Sequence, residues 1–196
     1  WNPATGELVF VRYVADADGE SSDLLVASPD LSTIRPLLTQ TGNQDDPDLS
    51  PDGRLLVYDS AQTVALHRGG VQVVRQLWVM DLETGAARPL VPGAGQDMEP
   101  DVSPDGRRVA FASDRGGDGF EIWVVGLDGG GLRQVTSGPG SKTWPAWSPD
   151  GETILFTRAH EGRTDLWLTA ADGSSTERFE PFGPDAAVEL RDADWR

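Results

Sequence analysis

Short runs in which apolar and polar residues alternate recur along the chain, each closed by turn-forming residues. Arg107-Arg108-Val109-Ala110-Phe111-Ala112-Ser113 carries the two-residue period of a strand with one buried face. Leu55–Tyr58 and Ile154–Thr157 hold the same place in neighbouring units. A second strand follows in each, at Leu77–Met80, Glu121–Val125 and Leu166–Leu168, and a third at Arg88–Val91, Leu132–Thr136 and Arg178-Phe179. A strand also precedes each unit, through Asp46-Pro47-Asp48-Leu49, Glu99-Pro100-Asp101-Val102 and Trp144-Pro145-Ala146-Trp147. The first unit is degenerate, with Leu8–Val11, Leu24–Val26 and Arg35–Leu38 but no leading strand of its own. Four strands per unit and no helical period predict an all-β chain.

Between the leading strand and the next, Ser-Pro-Asp-Gly occurs at Ser50–Gly53, Ser103–Gly106 and Ser148–Gly151. The spacing of roughly 45–53 residues is that of four-stranded propeller blades. Proline presets the backbone for the second position of a type I turn, and Asp bonds nearby amides. Glycine then takes the left-handed conformation that returns the chain to the ladder. Trp1-Asn2-Pro3-Ala4-Thr5-Gly6 stands in for this turn in the first unit, with one residue extra. Trp78, Trp123 and Trp167 share one repeat position and are expected to fill space between adjacent sheets.

Pro145-Ala146-Trp147-Ser148-Pro149-Asp150-Gly151 and its in-phase copies resemble the TolB-like β-propeller repeat, a relative of the WD-type repeat. The resemblance spans nearly the whole chain and implies four-stranded antiparallel blades around a central channel. It is read as a single β-propeller domain over 1–196, with repeats at about 1–44, 45–96, 97–141 and 142–187. The final segment, 188–196, matches the leading strand and is expected to complete the first blade. The family usually closes rings of six or more blades. An arc of a larger propeller, and an assembly of chains joined through edge strands into a homo-oligomer, therefore stay open beside the closed ring.

Composition narrows function by exclusion. The chain has 196 residues, a formal net charge of −16, one lysine (Lys142) and no cysteine. That balance opposes nucleic-acid binding, which rests on phosphate neutralisation, and it removes disulfides and thiolate metal sites. No run is long and apolar enough for a membrane-spanning helix. Gly-x-Ser-x-Gly, His-Glu-x-x-His and a phosphate-cradling glycine loop are absent, and His67 and His160 fall in hairpin loops. The expected role is non-enzymatic, with no cofactor unless a calcium ion.

Strand alternation places Leu49, Val102, Trp147 and Trp195 at one position of the leading strand, buried between blades. Asp48, Asp101, Ala146 and Asp194 take the next position, and Asp46, Glu99, Trp144 and Asp192 another. Asp48, Asp101 and Asp194 are thus candidate ligands for calcium, a hard cation bound through oxygen, with hydrated carboxylates as the alternative. Trp144 interrupts an acidic position and is a candidate anchor for a partner. The second unit also carries a long insert, Ser60–Gln76, which reads as two strands around Arg68-Gly69-Gly70. Its His67, Arg68, Val71 and Val73 join Trp144 as candidate partner-binding residues. In propellers of this family such loops share a face with the entry of the leading strand, so hairpin, Trp144 and acidic column are expected on one side.

The resemblance implies a bacterial periplasmic or extracellular protein that docks a protein or peptide partner at a propeller face. Two other readings remain. One is the substrate-gating propeller of a prolyl-oligopeptidase or tricorn-type peptidase whose catalytic domain lies elsewhere. The other is a structural subunit of an oligomer or extracellular assembly.

Overall fold

The computed structural model describes residues 1–16, 19–38, 42–65, 70–93 and 95–180. All regular elements among them are strands, grouped in two compact units that meet within one strand, at Met98/Glu99. The closing segment 188–196, with Asp192, Asp194 and Trp195, lies outside the described residues, as do His67 and Arg68.

The first unit holds two antiparallel sheets. β1 (Leu8–Asp16), β2 (Gly19–Ala27) and β3 (Ile34–Pro36) form a three-stranded sheet, matching the degenerate first repeat. β4 (Asn43–Leu49), β5 (Leu55–Ala65), β6 (Val71–Asp81) and β7 (Ala87–Pro89) form a four-stranded one in chain order. Leu24 of the first sheet packs with Leu56, Tyr58 and Met80 of the second, all buried, with Val9, Val11, Leu37 and Trp78 around them.

The second unit repeats the plan. β8 (Asp97–Val102), whose first two residues belong to the first unit, joins β9 (Arg108–Ser113), β10 (Glu121–Gly126) and β11 (Arg133–Gln134). β12 (Ser141–Trp147), β13 (Thr153–His160), β14 (Arg163–Ala170) and β15 (Thr176–Arg178) make the last sheet. Ala110, Ile122 and Val124 of one sheet pack against Trp147, Ile154 and Phe156 of the other, with Trp167 at the edge of the cluster. The recurring tryptophan therefore lies where the repeat placed it. Guanidinium groups cap two of the rings, Arg115 over Trp123 at 5.6 Å and Arg158 over Trp167 at 4.6 Å.

The turns follow the expected geometry and add a role for serine. The Ser50 carbonyl accepts from Gly53 N at 2.8 Å, and Gly53 sits at φ +71°. Ser50 Oγ donates to Asp52 Oδ1 at 2.6 Å and accepts from Leu55 N at 2.9 Å, while Asp52 Oδ1 also accepts from Arg54 N. The same bonds recur around Ser103–Asp105 and Ser148–Asp150. Two of the three turn carbonyls are also held by the preceding repeat. Asn2 Nδ2 donates to Gly53 O at 2.8 Å in the first unit, and Arg108 Nη2 to Gly151 O at 2.9 Å in the second.

The leading strands depart from the plain alternation the sequence suggests. β4 pairs Asp45 with Asp59 and Asp48 with Val57, so one extra residue bulges between them. β12 bulges likewise between Thr143 and Ala146. Asp46, Glu99 and Trp144, each before a proline, take positive φ of 47°, 56° and 54°. The bulge resets the facing. Asp45 and Asp48 share one side of β4, where alternation put Asp46 with Asp48.

Candidate functional site

The β5–β6 hairpin carries two of the exposed large apolar residues of the first unit, Val71 and Val73, beside Trp1, Tyr13, Leu31 and Ile34 elsewhere in it. Both strands run 11 residues, paired from Leu55↔Asp81 to Ala65↔Val71, as the insert predicts. β4 pairs as far as Asn43↔Ala61, so among the described residues the distal hairpin has no leading-strand neighbour. Its β6 edge is closed by a side chain instead. Gln96 Nε2 donates to Val73 O and Gln96 Oε1 accepts from Arg75 N, both at 3.0 Å, so one carboxamide substitutes for a peptide group of a neighbouring strand. A closed edge discourages strand addition. Val71 is 71% and Val73 57% exposed.

Two residues further along the same face of β6, apolar surface gives way to charge. Asp45 and Asp59 stand directly opposite each other across β4 and β5, an arrangement that repels when both are ionised. Arg75 Nη1 bridges them, at 2.6 Å from Asp59 Oδ1 and 3.1 Å from Asp45 Oδ2. Asp59 is fully buried. Burial pushes its carboxyl up to about 8, the Arg75 guanidinium opposes the rise, and the Asp46 and Asp45 carboxylates add to it. Burial works against the charge on Arg75, but Asp59 and Asp45 outweigh it and hold the guanidinium more firmly protonated. Tyr13, exposed on β1, has its phenol raised by partial burial and then by Asp45, acting as charge and hydrogen-bond acceptor, with Asp46 and Asp59 beyond. The sequence reading did not single out any of Tyr13, Asp45, Asp59 or Arg75. An aspartate inside the apolar run Leu55–Ser60 was the available signal for Asp59.

A cleft of about 610 Å³ opens near the turns of the same unit, between Val9, Val26 and Leu37 on one side and Met80 and Leu82 on the other. The arginines on its rim are already neutralised, Arg35 by Glu7 at 3.4 Å and Arg54 by Asp81 at 2.9 Å.

In the second unit Glu99 and Asp101, the acidic residues of the leading strand, serve the backbone. Glu99 Oε2 accepts from Trp144 N at 2.7 Å, taking up an amide at the β12 bulge. Asp101 Oδ2 accepts from Trp147 N at 2.6 Å, and its carbonyl accepts from Trp147 Nε1 at 3.0 Å. Both bonds join consecutive leading strands, β8 and β12. Of the candidate calcium ligands, Asp101 is thus engaged with the backbone, Asp48 belongs to the other unit, and Asp194 is outside the described residues. Among the described residues no group of three or more His, Cys, Asp or Glu could hold a metal ion. Trp144 is 39% exposed, while Val71 and Val73 are on the other unit. His160 ends strand β13 opposite Arg163. Lys142, the lone lysine, is buried: its Nζ donates to Glu121 Oε1 at 2.6 Å and to the Gly138 carbonyl, while Thr136 Oγ1 donates to Glu121 Oε2 at 2.6 Å.

Comparison with known proteins agrees with this architecture. The family model described as the TolB beta propeller domain matches residues 74–185. A TolB structure from Agrobacterium tumefaciens superposes with a TM-score of 0.68 at 23% identity, over 87% of this chain and 60% of that one. A puromycin-hydrolyzing peptidase from Mycobacterium tuberculosis gives 0.60 at 23% identity, over 87% of this chain and 30% of its own. In sequence, the Uncharacterized peptidase YuxL of Bacillus subtilis (strain 168) is 36% identical over 77 residues, which are 39% of this chain and 11% of that protein. The chain spans less than two thirds of each of these relatives.

Proposed function

We propose, for a chain that belongs to the TolB beta propeller domain family, a non-catalytic role: holding a protein or peptide partner against the β5–β6 hairpin. The observation that carries this is the outward display of Val71 and Val73 on a hairpin whose edge Gln96 closes. Ordered strands present apolar side chains there at little entropic cost on binding. An extracytoplasmic location goes with the reading, through the family. A net charge of −16 favours a basic partner.

A second reading takes the chain as the substrate-gating propeller of a peptidase. The 36% identity to a Bacillus subtilis protein named as a peptidase favours it. A Gly-x-Ser-x-Gly hydrolase domain encoded in the same gene would move the assignment there.

The test is a selection of displayed random peptides on the purified chain, repeated with Val71→Ser/Val73→Ser. Enriched peptides are expected to weaken at least about tenfold on the double variant, equivalent to ~1.4 kcal/mol, with its circular dichroism unchanged. Peptides that bind both proteins equally, or no enrichment at all, would refute the role.

A further inference from the structure

The outer edge of β6 changes its partner along its length. Alternate residues of a strand turn their backbone N–H and C=O to the same side, so Val71, Val73, Arg75 and Leu77 address one edge of β6. Leu77 O accepts from Leu90 N at 2.8 Å, which marks this as the edge that β7 covers through Trp78↔Pro89, Val79↔Arg88 and Met80↔Ala87. Beyond Leu77 no strand continues β7 among the described residues. There the Gln96 carboxamide takes Arg75 N and Val73 O. Arg75 O, Val73 N and both backbone groups of Val71 have no strand beside them among the described residues. This stretch is symmetric about Val73. A two-fold axis through Val73 sets it against Val73 of a second copy and sets Val71 against Arg75 of that copy. In such an antiparallel ladder each facing pair exchanges N–H···O bonds in both directions. Side chains agree with the pairing: the exposed Val73 meets its own copy, and the aliphatic stem of Arg75 lies along the exposed Val71. A two-fold contact of this kind closes on itself.

We infer that Gln96 is an edge guard: its carboxamide occupies the hydrogen-bonding positions through which β6 would otherwise pair with β6 of a second copy of this chain. A side chain suits that task, because it satisfies the edge without presenting a new edge of its own. The carboxamide donates to Val73 O and accepts from Arg75 N at once, so a pairing strand must displace both bonds before it forms any at the centre of the ladder. The guard acts whatever the hairpin valines bind, and it keeps them displayed on a single copy.

Sedimentation velocity of the full chain, as wild type and as Gln96→Ala, tests the guard. The variant should dimerise at a protein concentration at least about tenfold lower than wild type, since two neutral hydrogen bonds per copy no longer compete with pairing. Its circular dichroism should be unchanged. Gln96→Ala/Val73→Pro should return to the wild-type distribution. Val73 N faces the open edge, so proline there removes a donor the ladder needs and breaks no bond within the chain. Hydrogen exchange reads the guard on the wild-type chain alone. Corrected for intrinsic rates, the Arg75 amide, bonded to Gln96, should exchange at least about tenfold more slowly than the Val71 amide. Equal association of wild type and Gln96→Ala overturns the inference. So do dimers that persist with Val73→Pro, or an Arg75 amide that exchanges as fast as Val71.

Discussion

Lys142→Met isolates the one ammonium–carboxylate pair buried in the second unit. The side chains of Lys142 and Glu121 are 3% and 6% exposed. Methionine keeps the length of the lysine stem but leaves Glu121 Oε1 and the Gly138 carbonyl without their donor. Removing one member of a buried ion pair costs about 3–5 kcal/mol, because the remaining charge stays out of water. With a urea slope of about 2 kcal/mol per molar, the unfolding midpoint should fall by roughly 2 M. The five tryptophans of this unit, Trp123, Trp144, Trp147, Trp167 and Trp195, report its unfolding by fluorescence. The decisive comparison is Lys142→Met/Glu121→Leu, which removes both charges. It should recover most of the loss, since an apolar pair of similar volume is commonly neutral or better. A double variant no more stable than the single one would show that stranded charge is not the cause. A single-variant loss under about 1 kcal/mol would place Lys142 with exposed ion pairs and refute the burial argument.

Asp59→Asn tests the proton held in the first unit. Folding raises this carboxyl from an ordinary 3.8 to about 8. Between those values the folded state binds more protons than the unfolded one, so the stability it contributes declines as pH rises from about 4 to 8. The amide should remove that decline, and its thermal midpoint relative to wild type should climb steadily from pH 5 to pH 8; a constant offset would sink the assignment. Asp52, Asp105 and Asp150 have the opposite sign. Their serine bonds lower the carboxyls, so that contribution is lost as pH falls below about 4. Gly53→Ala should cost more than Gly85→Ala, although φ is +71° and +72° at the two sites, because a Cβ at Gly53 would lie 2.2 Å from Asn2 Oδ1 while Gly85 is open; equal losses in urea unfolding would count against the Asn2 contact. Asp101→Ala strands Trp147 N and should cost about 1.5–3 kcal/mol, read by urea unfolding, whereas an unchanged midpoint would mean the bond adds nothing.

Turns, strand order and tryptophan position were legible because they are local. Ser-Pro-Asp-Gly determines its own backbone, and a two-residue period reports burial directly. The long hairpin was legible for the same reason, since its length shows as an insert between two strands in repeat phase. What escaped depends on register. The bulge before Pro47 moves Asp45 opposite Asp59, and without it the alternation reads Asp46 and Asp48 as a pair. Arg75 then appears as an ordinary charged strand residue. Lys142 was visible as the only lysine, but its burial depends on Glu121 of the preceding sheet, 21 residues away. Asp101 was read as a candidate ligand for an ion, yet its acceptor atoms are used by the strand that follows one repeat later.

That last joint is directional. In the second unit the first repeat brings acceptors, Glu99 and Asp101, and meets amide donors on its successor, while its Arg108 reaches forward to the next glycine carbonyl. A module with a plug at one side and a socket at the other can be duplicated or excised as a cassette, and its neighbours need no redesign. Gene duplication could therefore lengthen or shorten such a series one module at a time, with selection acting first on the terminal modules, where a plug or socket faces something other than its own kind.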